Sequence, residues 1–473
     1  MRGAGVALPG ARTVRGLLNV RRMNAKSRWS NPARWLERVV GAEVLEGEGR
    51  LVLLFFANLF LLLAAYYILK VIREPLILLG GGAVRRAYAR GAQAGILVVL
   101  IPLYSALANR FEPARLVERI TAVFAVSLVL FFVAKRAGLT VGFAFFIWLG
   151  IFSTLSIAQF WSLANDVMTE PQGKRLFPLI AVGGTAGGIA GAQFAARAFR
   201  HLSPEAMMLV AAGLLLMCML LTAASHGHRG PTKRREAPAD RRGGFTLVLS
   251  DRYLFLIALS VVALNLITAT GDFVVAQLVT AKANLLPAAE RGRFIGAFYG
   301  DLQTWITAAT TLAQILVVAR VFKAIGVAGA LFIMPIMLVS GYGLFALLPL
   351  LSTVTVLRVA EGTADYSLQN TIQHALFLPT SRDAKYKAKS AIDTLSKRVG
   401  DLGSTAIVFA GTTWAAWGVR GFAIVNAVLA VLWIVVSSRL ARRLRALTPA
   451  APQPATGQGA PAPLTEPQPR PAL

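Results

Sequence analysis

Cysteine, histidine and charge are all scarce in this 473-residue chain, and each scarcity removes a class of function. The one cysteine, Cys218, lies in an apolar run and has no partner for an internal disulfide. Four histidines without ligand spacing offer no metal site, and His226 with His228 reads as a solvated pair in a basic loop. Charged residues make up 15% of the chain against 56% hydrophobic. A soluble chain of this length needs more polar surface than that to cover its core. There are no Walker motifs, no Ser/His/Asp arrangement and no paired carboxylates in a soluble stretch. The chain therefore reads as a non-enzyme without a cofactor, and a single-chain ATP-driven pump is excluded.

What is present is apolar sequence in long runs. Such runs, each of about 20 residues and separated by short charged loops, are the signature of transmembrane helices. The expected fold class is an all-α polytopic membrane protein with about twelve spans. They fall near 51–72, 91–109, 119–135, 139–164, 177–199, 204–224, 253–280, 294–319, 325–348, 351–377, 399–418 and 421–440. Between the sixth and seventh lies "SHGHRGPTKRREAPADRRGG", a basic linker punctuated by Pro and Gly.

The expected organisation is a basic tail (1–50), a six-helix bundle (51–224), the linker (225–252), a second bundle (253–445) and a Pro/Ala-rich disordered tail (446–473). The Arg-rich first 50 residues have a transit-peptide-like composition. They also read as a cytoplasmic tail, or as sequence upstream of a start at Met23. The net charge of +27 is concentrated in the tails and even-numbered loops, as the positive-inside rule requires for two cytoplasmic termini. With no basic domain interleaved with aromatics, this charge reports topology and not nucleic-acid binding.

The two halves echo each other. "WSLAN" (161–165) in the fourth span and "YSLQN" (366–370) in the tenth are each followed by a proline, lysines and a Gly-rich turn. A repeat of six plus six spans is typical of carriers that rock two bundles around a central site. Polar residues inside spans are expensive, so each is a candidate for function. In the tenth span Arg358, Glu361, Asp365 and Gln369 share a helix face, with Gln373 one turn further. They line a cavity or, on the plainer reading, pair with one another and hold helices together. In the first span Tyr66, Lys70 and Arg73 share a face and Glu74 follows, before "REP" at 73–75 is expected to end the helix. Lys70 and Arg73 could equally snorkel to the interface. The seventh span offers Asn265, Thr268 and Asp272, and the eighth Asp301, Thr304, Thr307, Thr311 and Gln314. Of these Asp272 and Asp301 are the better candidates for a proton-carrying or gating role, since Thr in lipid more often packs helices. The glycines of "GGTAGGIAGAQ" read as close helix packing and not as a phosphate loop.

Four segments carry a resemblance: "YYILKVIREPL" (66–76), "FWSLANDVMTEPQGKRLFPLIAVGGTAGG" (160–188), "FIGAFYGDLQTW" (294–305) and "YSLQNTIQHALFLPTSRDAKYKAKSAID" (366–393). Together they resemble the nucleotide transporter family, the ATP/ADP translocases, which includes bacterial relatives and is related in architecture to the major facilitator superfamily. The chain differs from the family's exchangers at Gln373 and His374, which replace a Lys-Glu pair, and around Leu149, where an acidic residue is expected.

The resemblance implies a secondary transporter, a small anionic solute such as ATP or ADP, and a bacterial inner membrane as its location. The expected substrate-binding residues are Lys70, Arg73, Glu74, Arg358, Glu361, Asp365 and Gln373. A second reading is a proton-coupled carrier of another solute, phosphorylated or not, using Glu361, Asp365 or Asp272. A third is a membrane scaffold acting through its tails. The lipid bilayer is the expected partner in every case.

Overall fold

The structure is a computed structural model. It describes residues 44–45, 47–108, 113–199, 201–225, 241–380 and 388–447. The expected tails, most of the linker, Lys385 and Lys387 lie outside the described residues. Among those described, regular secondary structure is helical throughout, without a strand.

Seven helices are long and apolar enough to cross a membrane unaided. The first, Gly49–Ala108, is two passes joined at a break where Gly81 and Gly82 leave helical geometry. Gly82 has φ 69° and ψ −169°, a conformation open to glycine and costly for any residue with a Cβ. Spans 1 and 2 are the limbs before and after this break.

Span 3 is Pro113–Arg136, span 4 Gly142–Val167, span 5 Glu170–Ala198 and span 6 Pro204–Ser225. The linker's described end forms the short helix Arg241–Ser250, which leads into span 7, Arg252–Asn284. Asp251 caps span 7 by accepting from the Tyr253 and Leu254 amides. Span 8 is Ala288–Leu316. The chain then turns by 73° into Val318–Ala330, itself broken at Gly326, before span 9, Ile333–Leu347.

Spans 10 and 11 are composites. Span 10 joins Leu351–Ala364 and Asn370–Leu376 through one turn of π-helix, Asp365–Gln369. Span 11 joins Lys389–Ala391 and Lys397–Thr413 through another, Ile392–Ser396. Span 12 is Val419–Leu447. The twelve passes expected from hydropathy are thus present. Several fail a simple test of length because a glycine or a π turn interrupts them.

Two boundaries depart from the sequence reading. Pro75 does not end span 1; the helix runs through it to the glycines. Proline disfavours a helical residue before it but does not forbid one, and packing on spans 4 and 5 holds the helix here. Span 2 accordingly begins at once after Gly82, so residues 83–90 are helical and not a loop.

Each half has its own core. In the first, spans 1 and 5 approach closely because Gly183, Gly187 and Gly191 follow one another at four-residue intervals. A Cβ on them would stand 2.6, 2.1 and 2.4 Å from the carbonyl oxygens of Phe56, Phe60 and Ala64. The expected packing role of the glycine run is what the structure shows. The acidic position expected near residue 149 is Leu149, buried in this core. In the second half Trp433 donates its indole N–H to the Ser260 hydroxyl (2.8 Å), tying span 12 to span 7.

Candidate functional site

The two halves meet at one end of the bundle. An even number of passes puts Gly49 and Leu447 at the same end; the halves join at the other. There the span 2 backbone at Ala87 accepts from the Thr405 hydroxyl of span 11 at 3.1 Å. Gly300 of span 8 lies against Ala196 of span 5, where an added Cβ would be 2.6 Å from that methyl, and Gly296 lies against Phe199. At the end that carries Gly49 and Leu447, the bonds seen among the described residues stay within a half: Glu48 with Arg175 and Gln172, Lys389 with Asp393, and the Tyr253 hydroxyl with the Leu376 carbonyl. Between them a cavity of about 400 Å³ opens toward that second end.

Spans 1, 2, 4, 7, 8, 10 and 11 supply the cavity wall, span 4 through Phe146, and the wall is charged. From span 1 come Tyr66, Lys70, Arg73 and Glu74, on the one face their spacing indicated. From span 10 come Arg358, Glu361 and Asp365 with Tyr366, Asn370 and Gln373. Asp272 enters from span 7 beside Asn265 and Thr268. The structure thus brings together Lys70, Arg73, Glu74, Arg358, Glu361, Asp365, Gln373 and Asp272. It does not bring Asp301, which is exposed and outside the cavity. The cavity-facing side of span 8 carries Tyr299, Leu302, Gln303 and Ile306 instead. Thr304, Thr307 and Thr311 turn their hydroxyls back to carbonyls four residues earlier, at 2.8–2.9 Å.

Span 2 adds Arg86, Arg90 and Gln93, of which the sequence reading placed the two arginines in a loop. Their spacing of four and three residues was the available signal, once helix is allowed to begin at the glycines. These arginines complete an ionic network that crosses between the halves. Within the first half, Glu74 accepts from Arg86 Nε at 2.7 Å and pairs with the neighbouring Arg73. The Arg73 guanidinium lies 4.3 Å from the centre of the Phe146 ring. Across the interface, Asp272 pairs with Arg90, lies 3.9 Å from Arg86 Nη2 and accepts from Arg358 at 2.5 Å. Arg358 also pairs with Glu361 at 2.6 Å, whose carboxylate accepts from the Tyr342 hydroxyl of span 9 at 3.2 Å. Asp272 is therefore the node at which arginines from opposite halves converge.

Both readings of the span 10 polar face hold. Arg358 and Glu361 bind helices together, and they do so in the wall of a cavity. Neither Lys70 nor Arg73 snorkels to an interface. The Glu361 carboxylate is fully buried, and Glu74 is 2% exposed. Carboxylates so placed persist because guanidinium partners meet them with charge-assisted bonds. Among the described residues, the hydroxyls of Thr268 and Tyr299 are buried in the wall without a protein hydrogen-bond partner. Gly150 of span 4 leaves room for Gln93, since a Cβ there would be 2.0 Å from that side chain.

The π turn begins at Asp365 and covers "YSLQ", the start of the fourth sequence segment. Such single turns recur at functional positions because the extra residue re-aims the side chains that follow. Here those are Tyr366, Asn370 and Gln373, all on the cavity wall.

This architecture is an all-helical fold of major-facilitator type, with two bundles around a central polar cavity. Among solved structures it is similar to the nucleoside transporter NupG, with a TM-score of 0.60 at 15% identity over 85% of this chain and 99% of that one. It is also similar to a bacterial homologue of the human lysosomal transporter Spinster, inward-facing and unoccupied, with a TM-score of 0.61 at 12% identity over 86% and 100%. Residues 224–444 match the family model described as TLC ATP/ADP transporter, as the four motifs led one to expect. The chain is similar to the ADP,ATP carrier protein 2, chloroplastic, of Arabidopsis thaliana, 25% identical over 289 residues, which cover 52% of this chain and 45% of the carrier. It is similar too to the plastidic ATP/ADP-transporter of Solanum tuberosum, 23% identical over 283 residues, covering 52% and 44%. The chain spans about half the length of the curated relatives it matches.

Proposed function

We propose that the chain is a secondary carrier that exchanges a small phosphorylated solute of nucleotide type across a bacterial inner membrane, with both termini in the cytoplasm. The observation that carries this reading is the cavity between the halves, lined from both by lysine and arginine and closed at one end by Arg90–Asp272–Arg358. A phosphate leaving water needs charged partners, and guanidinium donors meet it bidentately. Its similarity to ATP/ADP carriers points to the same solute class. With the basic loops inside, the open end is the cytoplasmic one.

Transport proceeds by alternating access. Solute entering from the open end meets Lys70, Arg73 and Arg358, and competes with Asp272 for the arginines that bridge the halves. Losing that bridge lets the closed end part while the halves draw together at the other. The test is purified protein in liposomes, with or without internal nucleotide, followed by labelled adenine-nucleotide uptake. Uptake that requires internal nucleotide supports exchange; none, from protein shown to be folded, rejects a nucleotide carrier. Lys70→Gln, Arg73→Gln and Arg358→Gln should each lower uptake by about tenfold or more at unchanged expression. Normal transport by all three would place the site elsewhere.

A proton-linked reading rests on Asp365, a cavity carboxylate without an ion-pair partner among the described residues. Uptake that collapses with the pH gradient and ignores internal nucleotide would favour it.

A further inference from the structure

The cavity wall carries six lysine or arginine side chains and five carboxylates, a surplus of one positive charge. Those cations are unequal. Arg73, Arg86, Arg90 and Arg358 are each already paired with Glu74, Asp272 or Glu361. Lys397 is exposed at the mouth. Lys70, deeper in, has no carboxylate at ion-pair distance among the described residues and lies 5.3 Å from the centre of the Tyr67 ring. From the opposite half, Asp365 enters the same cavity, also without an ion-pair partner. Among the described residues the arginines of the wall are neutralised by its carboxylates, and in the interior of the cavity Lys70 on one half and Asp365 on the other have no ion-pair partner.

We propose that the preferred solute is a nucleoside monophosphate, its phosphate on Lys70 and the hydrogen-bond donors of its base on Asp365. This rests on the nucleotide-type carrier argued above and names the charge class within it. A phosphate monoester carries about two negative charges at neutral pH. Set against the surplus of one, it leaves the loaded cavity near neutrality. A triphosphate adds about two more charges, in a place where counter-ions are few. It could gain further guanidinium bonds only by stripping Glu74 and Glu361 of theirs, and an unpaired buried carboxylate is strongly disfavoured. A nucleoside without phosphate leaves Lys70 unmet. The free carboxylate of Asp365 accepts an N–H donor, as the exocyclic amine of an amino-bearing base presents.

Proteoliposomes loaded with unlabelled AMP, with magnesium chelated so that each nucleotide keeps its full charge, are given labelled adenosine, AMP, ADP or ATP at equal concentration. The expected result is AMP uptake at least tenfold above ATP and above adenosine, retained in Lys70→Arg and lost in Lys70→Gln. Purine riboside monophosphate, which lacks the exocyclic amine, should be taken up less well than AMP by the native protein and equally well by Asp365→Asn. Uptake of ATP equal to or above that of AMP overturns the proposal and leaves the nucleotide carrier standing. Adenosine moving as fast as AMP overturns the role of Lys70. If folded protein moves none of these compounds, both the proposal and the carrier reading fall.

Discussion

Asp272 holds more of this site together than any other side chain, because it alone receives arginines from both halves. Asp272→Asn removes the charge while keeping the shape, and leaves Arg86, Arg90 and Arg358 to repel one another. Loss of one partner from a buried ionic group costs about 3 kcal/mol. The closed end should therefore loosen. In a Cys218→Ser background, which removes the chain's one thiol, a cysteine at Thr405 should react with a membrane-impermeant maleimide several-fold faster once Asp272→Asn is added. Unchanged reactivity would show that the arginine bridge does not hold that end shut. Part of this site was legible beforehand. Spacing alone placed Lys70, Arg73 and Glu74 together, and likewise Arg358, Glu361 and Asp365, because helical period is a property of each span by itself. Asp301 lies outside the cavity for the complementary reason. Period tells which residues of span 8 share a face, but only the packing of Gly300 on Ala196 decides which face meets the cavity.

At the level of elements, glycine sets both a close contact between helix backbones and a sharp break in the chain. Gly187→Ala places a methyl against the Phe60 carbonyl, which belongs to a helix backbone and cannot step aside. Overpacking of this kind costs about 1–3 kcal/mol, so the thermal midpoint of the detergent-solubilised protein should fall by several degrees. A normal midpoint would mean that spans 1 and 5 can slide apart at little cost. Gly82→Ala acts differently, by straining a backbone at φ 69°. Its effect should fall on uptake more than on folding, since Arg86 and Arg90 are aimed by that break. These two arginines were hidden in the sequence because three glycines followed by a basic cluster look like a loop. Nothing in hydropathy distinguishes a loop from a helix that restarts within one residue. The π turns at Asp365–Gln369 and Ile392–Ser396 were equally invisible, since one inserted residue barely changes an apolar pattern.

Across the whole molecule, the succession of helical passes was readable from the length and hydropathy of the apolar runs. Which end of the bundle closes was not, because it depends on contacts between halves distant in sequence. At the open end Glu48 is tied to span 5 through Arg175 Nη1 and Nη2, at 3.1 and 2.9 Å, and through Gln172. Burial pushes the Glu48 carboxyl up, but the bonds from Arg175, the Leu45 amide and Gln172 outweigh it and hold its pKa below the ordinary value. A depressed carboxylate pKa stabilises the fold above its unfolded value, and that contribution disappears as pH falls through the folded one. Glu48→Gln should thus lower the thermal midpoint at pH 7, and the gap to the native protein should shrink as the pH falls below about 4.5. A gap that stays constant with pH would show that the side chain acts by shape and not by charge.

If the chain carries an anionic solute as proposed, the bridge of arginines around Asp272 also gives its cycle a sense of direction. Its charges satisfy one another in this posture, and leaving it means breaking those bonds unless a solute replaces them. A bulky anion that can reach Lys70 but is too large to be enclosed should arrest the cycle when applied on the side bearing the first and last helix ends. On the opposite face it should find no purchase, so sidedness of inhibition becomes a direct reading of where the idle molecule waits.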